Sequence, residues 1–365
     1  MTAVATVHGG EPTQGGLPRG GRSAASLKTV AAILPGECYE RPTGRGLAVF
    51  ARDLTLYAGV VMVLAWSDSL VVLIPAWLVA ASTISGLFVL GHDAAHRALF
   101  RSARLNYCVG QVAMLPSLHA FSVWAYGHNR IHHAFAACEG MDFVWHPATP
   151  DQYARLSPLA KLLHRIEWSA LGSGVYYLRA MWWGKIVRGV PPPRLRAAFR
   201  RDRLIVAGYF IAASALLVVA GARRGGAVGA AAMWLKVFGV PWLLWNSAIG
   251  WAVYIHHIAP DVRWHPRRRW SKFRGQVEGG TVYQVPRWVN VFWHNIFLHV
   301  PHHIDPSIPF YHLPRAAAAL EARYAATVRE RPYRLRDYVR TTRRCKLYDF
   351  ERGVWLGYDG AEVVA

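Results

Sequence analysis

Eight of the chain's 17 histidines fall into three short clusters: His92 and His96 as HxxxH, His128, His132 and His133 as HxxxHH, and His299, His302 and His303 as HxxHH. Residues three or four positions apart share one face of a helix, so each cluster can aim its imidazoles at a single point. Imidazole is the commonest protein ligand for transition metals and suits iron, zinc and copper. One tetrahedral zinc site takes only four ligands, so eight converging histidines predict two ions. Neutral imidazoles leave the ions' charge uncompensated, and carboxylates are expected to accept hydrogen bonds from the distal ring N–H groups. Asp93, Asp142, Asp261 and Asp305 lie near a cluster or at the end of an apolar stretch. No Ser-His-Asp order, glycine-rich phosphate loop or HExxH motif accompanies them, so nothing points to hydrolysis.

The clusters need elements to hold them together, and the composition says which kind. Hydrophobic residues make up 53% of 365 positions, with a formal net charge of +21 and a mean hydropathy of +0.15. That pairing predicts a membrane protein with charged parts in water. No nucleic-acid-binding module is recognisable, and a lipid bilayer is the expected partner of the charge. About twenty apolar residues cross a bilayer as a helix. Four stretches meet or approach that length: 47–66, 71–91, 204–221 and 237–255. Short loops at 67–69 and 222–226 would fold them into two helical hairpins. Arg52 and Asp53 fall in the first stretch, where they would pair with each other or mark the interface. Lys236 and Asn246 are the strong candidates for mid-span polarity.

Of the 42 Lys and Arg residues, 33 lie in 91–203 and 256–365, which the positive-inside rule assigns to the cytoplasm. Arg223 and Arg224 run mildly against it. Segments 92–203 and 256–365 hold all three clusters and an even number of crossings separates them, so the active site and the termini are expected on the cytoplasmic face. The stretch 105–124 is interrupted by Pro116 and His119 and predicts a re-entrant or interfacial segment. Residues 159–190 mix Leu and Trp with Lys and Arg as an interfacial amphipathic helix would. Residues 1–30, rich in Gly, Pro and Ala, are expected to be a disordered leader, with 31–365 as one domain. Four scattered cysteines make a disulfide framework or zinc ribbon unexpected. The fold expected is therefore an all-α integral membrane protein: four transmembrane helices in two hairpins under a cytosolic helical cap that carries the histidines.

The boxes HxxxH, HxxxHH and HxxHH, the paired hairpins and the basic face resemble the membrane fatty acid desaturase superfamily, over nearly everything beyond the leader. Finer matches are similar to its delta-12 (omega-6) acyl-lipid branch. The stretch from Ile33 through Cys38 to Arg41 resembles "IPxxCFxR". The third box runs on from His299 to Tyr311 like "HVPHHIxxxIPxY", and Cys345 to Asp349 resembles "CHLYD".

That resemblance implies a di-iron centre held by nine histidines, the ninth being His257 from an element similar to "QHTHPD", with His256 where Gln is usual. His294 and His146 are implied only as outer residues. It further implies O₂ as co-substrate, hydrogen abstraction from unactivated methylenes, and electrons from a separate ferredoxin or cytochrome b5. The substrate implied is an acyl chain on a lipid, with acyl-CoA or acyl-carrier protein left open. A hydroxylase, an acetylenase or a carotenoid ketolase or hydroxylase shares the same boxes. A non-catalytic metal-binding membrane protein or transporter is a more distant alternative, and would place polar ligands at mid-span.

Overall fold

A computed structural model describes residues 26–364; residues 1–25 of the expected leader lie outside them. The leader's last residues belong to a short helix, Leu27–Ala31, capped by the Ser26 side chain and burying Val30. The chain is predominantly helical. Two short ladders qualify the all-α expectation, a parallel pair Val282–Gln284 with Glu330–Pro332 and an antiparallel pair Leu347–Asp349 with Val354–Leu356.

Helices Thr43–Trp66 and Leu70–Ala95 form the first expected hairpin. The third apolar segment, Pro193–His257, is not one rod. Its backbone leaves helical geometry at Gly225 and at Gly226, whose φ of +59° favours glycine. The two arms fold back on each other there, with the Trp234 indole donating to Ser214 Oγ at 2.9 Å and Phe210 packed edge-on to Phe238. Among the described residues, three segments, Thr43–Trp66, Leu70–Ala95 and Pro193–His257, are long and apolar enough to cross a membrane.

The outward faces of these helices are apolar. Met62, Leu78, Ile211 and Leu216 are all exposed, an arrangement suited to hydrocarbon rather than water. The two hairpin turns lie side by side. Lys236 reaches from its helix to Ser67 O and Asp68, and Arg224 reaches Ala65 O. Lys236 therefore serves the turn rather than a mid-span site. Asn246 donates to Trp242 O on its own helix. Arg52 does pair with Asp53, and Asp53 also receives His294 from 241 positions along the chain.

The opposite end is where buried polar groups collect. The C-terminal half of Leu70–Ala95 is enclosed on all sides from Thr83 to Ala94. It packs against Ala103–Ala113 and against Val240–His257. Gly250 sets the second helix's closeness to its next neighbour: a Cβ there would lie 2.3 Å from Ser173 O. The segment 105–124 takes in most of the helix Ala103–Ala113, a turn and the start of the helix Phe121–Ala125, with no further long apolar helix. Residues 159–190 break into the helices Pro158–Glu167 and Ser173–Tyr176 and the π-helix Tyr177–Val187, leaving Leu159, Leu162, Leu171 and Trp183 exposed. The C-terminal tail closes the assembly, with the Trp264 amide donating to Tyr348 Oη and Lys346 to Trp168 O.

Candidate metal centre

The histidines of the three boxes converge, and they separate into two groups. His92, His96, His128, His133 and His302 form one; His132, His257, His299 and His303 form the other, with every potential ligand atom within 4.8 Å of the rest of its group. The groups adjoin. The His133 ring stacks on His303 at 4.4 Å, and His128 and His132 lie 5.2 Å apart.

Each contributor comes from a helix end. His92 lies in the last turn of Leu70–Ala95, with His96 just beyond it, and His257 ends Val240–His257. The third box occupies the short helix His299–Ile304. The second box lies on a π-helix, Tyr126–His132, and on His133, which caps it and begins the short helix His133–Phe135. Its hydrogen bonds link i to i+5 rather than i to i+4, so His128 and His133, five apart, bring their Nε2 atoms to 3.0 Å.

The outer hydrogen bonds fix which ring nitrogen carries the proton. His92 Nδ1 donates to Asp93 Oδ1 at 3.0 Å and His132 Nδ1 to Asp142 Oδ1 at 2.7 Å. His257 Nδ1 donates to Gly279 O at 3.1 Å, and His303 Nδ1 to Gln276 Oε1 at 2.6 Å. Carboxylates and carbonyls only accept, so these four imidazoles hold their protons outward and present bare Nε2 lone pairs inward. His257 and His303 both aim that lone pair at His299 Nε2, from 3.0 and 2.8 Å. His299 Nε2 carries at most one proton, so at least one of these contacts sets lone pair against lone pair. In the other group, His92 and His96 bury Nε2 atoms that have no hydrogen-bond partner. Burial, reinforced by neighbouring imidazoles, pushes His128, His133, His302 and His303 well below the ordinary value of 6.5, keeping them neutral. A cation in each group relieves this arrangement, and the donor set fits iron.

Asp93 and Asp142 each accept from a box imidazole, His92 and His132 respectively. Asp93 also accepts from Phe310 N, and Asp142 from Ala137 N and Val144 N. Burial alone would raise the Asp142 carboxyl, but His132, His257 and the Val144 N–H hold it below the ordinary range. The other two carboxylates and His294 reach no imidazole of either group. Asp261 pairs with Arg331 and Arg329, Asp305 accepts from Tyr39 Oη, and His294 is bound to Asp53. They lock the surrounding segments together; closeness in sequence to a box does not place a side chain behind its rings. His146 accepts from Gly140 N and packs against Phe350, outside both groups. His256 stacks on the His299 ring at 4.0 Å and stays out of both groups, while His257 enters one. Gln276 and the Gly279 carbonyl had no signal in the sequence, for neither is near a box and backbone carbonyls have no residue type.

An apolar cavity opens onto both groups. Phe88, Trp124, Phe143, Ile249, Val253 and Ile296 line it, with His92, His128, His132, His257 and His299 along one wall. It runs inwards between Leu70–Ala95 and Val240–His257. Ile249 lies eight positions before His257, about 12 Å along a helix.

The sequence model described as "Fatty acid desaturase" matches residues 48–334. The chain belongs to the fatty acid desaturase family. Among its relatives is the sn-1 oleoyl-lipid 12-desaturase of a Picosynechococcus species, 29% identical over 76% of this chain and 78% of that one. The same-named protein of a Synechocystis species is 27% identical over 90% of both chains. The chloroplastic omega-6 fatty acid desaturase of Glycine max is 27% identical, over 90% of this chain and 75% of the relative. The desaturase is thus an oxidoreductase of lipid metabolism whose apolar helices suit a membrane and whose histidine groups suit iron.

Proposed function

We propose that this desaturase holds two iron ions in its two histidine groups and introduces a delta-12 (omega-6) double bond into an acyl chain carried on a lipid. The observation that carries this reading is the set of inward-facing Nε2 lone pairs lining one wall of an apolar cavity. The names of the relatives support the position and the carrier. Iron, when bound, supplies the O₂ chemistry that an unactivated C–H bond demands. In the overall reaction a CH₂–CH₂ pair loses two hydrogens. O₂ takes the two electrons and two protons of those hydrogens, two more electrons from an external ferredoxin or cytochrome b5 and two protons from water, and two waters form.

The chain's own work is positioning. Phe88, Ile249, Val253 and Ile296 grip the acyl chain and exclude water, and Trp124, stacked on His128 at 4.2 Å, holds one wall of the cavity beside the ligands. Asp93, Asp142, Gln276 and the Gly279 carbonyl orient the imidazoles. Four crossings in two hairpins, the second turning at Gly225–Gly226, would place both basic segments on the cytoplasmic face.

Expression in a host without polyunsaturated lipids tests the reading. New double bonds, located by mass spectrometry in extracted lipid, are expected, and His132→Ala should abolish them while the protein stays in the membrane. Hydroxylated or otherwise oxygenated products from the unaltered chain would overturn it.

A further inference from the structure

The histidine groups have a second approach, and arginines stand at its edge. A groove of about 970 Å³ reaches His96 and His133 and is lined also by Arg97, Arg130, Arg201 and Asn129. His96 and His133 are the only members of the nine that are not fully buried. The groove and the apolar cavity share no lining residue: one meets His96 and His133, the other His92, His128, His132, His257 and His299. The two spaces therefore reach the centre from different sides.

Arg97 and Arg130 are exposed and, among the described residues, form no ion pair or side-chain hydrogen bond. Arg201 binds Asp202 and stacks on Tyr107. Asp202 is itself buried and accepts from Tyr107 Oη and Ser122 N, so its charge is turned inwards. The rim that faces water is cationic.

We infer that this groove is the docking site of the electron donor, a small acidic one-electron carrier protein whose carboxylates meet Arg97 and Arg130. The inference rests on the desaturase reading, because that reaction needs two electrons from outside. On that reading the reacting methylenes lie in the dry cavity, which has room for only about 60 Å³, and a charged protein cannot follow them there. A lipid headgroup in the groove would leave its acyl chain on the wrong side of the histidines. His96 and His133 are then the ligands nearest the donor, and exposed arginines around them steer an acidic partner into register.

The test uses the full chain in zwitterionic phosphatidylcholine nanodiscs and a reduced acidic [2Fe–2S] ferredoxin as probe. Arg97→Glu with Arg130→Glu should weaken ferredoxin binding about tenfold or more at low ionic strength, with the gap narrowing at high salt. Metal content should stay at the level of the unaltered chain. Arg340→Glu, an exposed position outside the groove, changes charge on another surface and should leave binding unchanged. Equal binding by the groove variant, or an equal loss in Arg340→Glu, would overturn the assignment. So would displacement of ferredoxin by phosphatidylglycerol vesicles that depends on the same two arginines, which would mark a phosphate site. Binding through these arginines by a chain that forms no double bond would sink the desaturase reading and leave the docking assignment standing.

Discussion

His132 and His133 are neighbours in the chain, yet they serve different groups, and so do His302 and His303. Adjacent residues on a helix point about 100° apart, so a doubled histidine at the seam between two sites supplies both. His256 and His257 look like a third doublet, but only the second enters a group. His257→Ala is therefore expected to reduce iron from about two per chain to about one, measured by elemental analysis of purified protein. His256→Phe, which keeps the stack on His299, should retain both. Asp142 accepts three hydrogen bonds, one of them from His132 Nδ1 at 2.7 Å. Asp142→Asn turns a donor towards at least one of those N–H groups, and should weaken iron binding about 10- to 100-fold. Chelator competition reads that loss directly; unchanged affinity would remove Asp142 from any role in orienting His132.

The elements decide how close those residues can come. The second box works because seven residues, Tyr126–His132, take π-helical geometry; an α-helix would swing His133 away from His128. Gly250 acts at the same scale. Its Cβ would meet Ser173 O at 2.3 Å and Tyr177 Cβ at 3.1 Å, so even a methyl group forces Val240–His257 away from the segment beside it. That helix carries His257 two turns further on. Gly250→Ala should cost about 1–3 kcal/mol by overpacking and lower iron occupancy together with it. Thermal unfolding in detergent and iron per chain are the two measurements, and a change in neither would show that the helix has room to shift. Small residues at such crossings let backbones approach closely in apolar surroundings, where side-chain packing supplies the contact energy.

At the scale of the molecule, three clusters separated by up to two hundred positions meet in one place. In a chain that crosses a bilayer they must share a face. On the topology we propose, the positive-inside rule would select the cytoplasmic one, and the turn at Gly225–Gly226 should then lie outside. A protease site inserted between Arg224 and Gly229 is expected to be cut only from the periplasmic or external side. One placed after Tyr358 should be cut only from the cytoplasm. Cutting of both from the same side would refute the two-hairpin topology. Buried polar side chains gather around the histidines, while the long helices expose Met62, Leu78, Ile211 and Leu216, which is why the helices suit lipid and the histidines do not.

Most of the chemistry is carried by residue type and spacing, and both are properties of the chain alone. Imidazole is a metal ligand wherever it occurs, helical repeats put box members on shared faces, and twenty apolar residues span a bilayer whatever surrounds them. These pointed to the eight box histidines, the apolar hairpins and, among the four carboxylates considered, Asp93 and Asp142, which accept from His92 and His132. The remainder depends on contacts between segments far apart in sequence. Gln276 and the Gly279 carbonyl meet imidazoles from other segments; Asp261, Asp305 and His294 are drawn off by Arg331, Tyr39 and Asp53. The division of nine rings into five and four, and the two separate approaches to them, follow from packing directions. A linear pattern carries periodicity along each helix but no information on how one helix is rotated against the next.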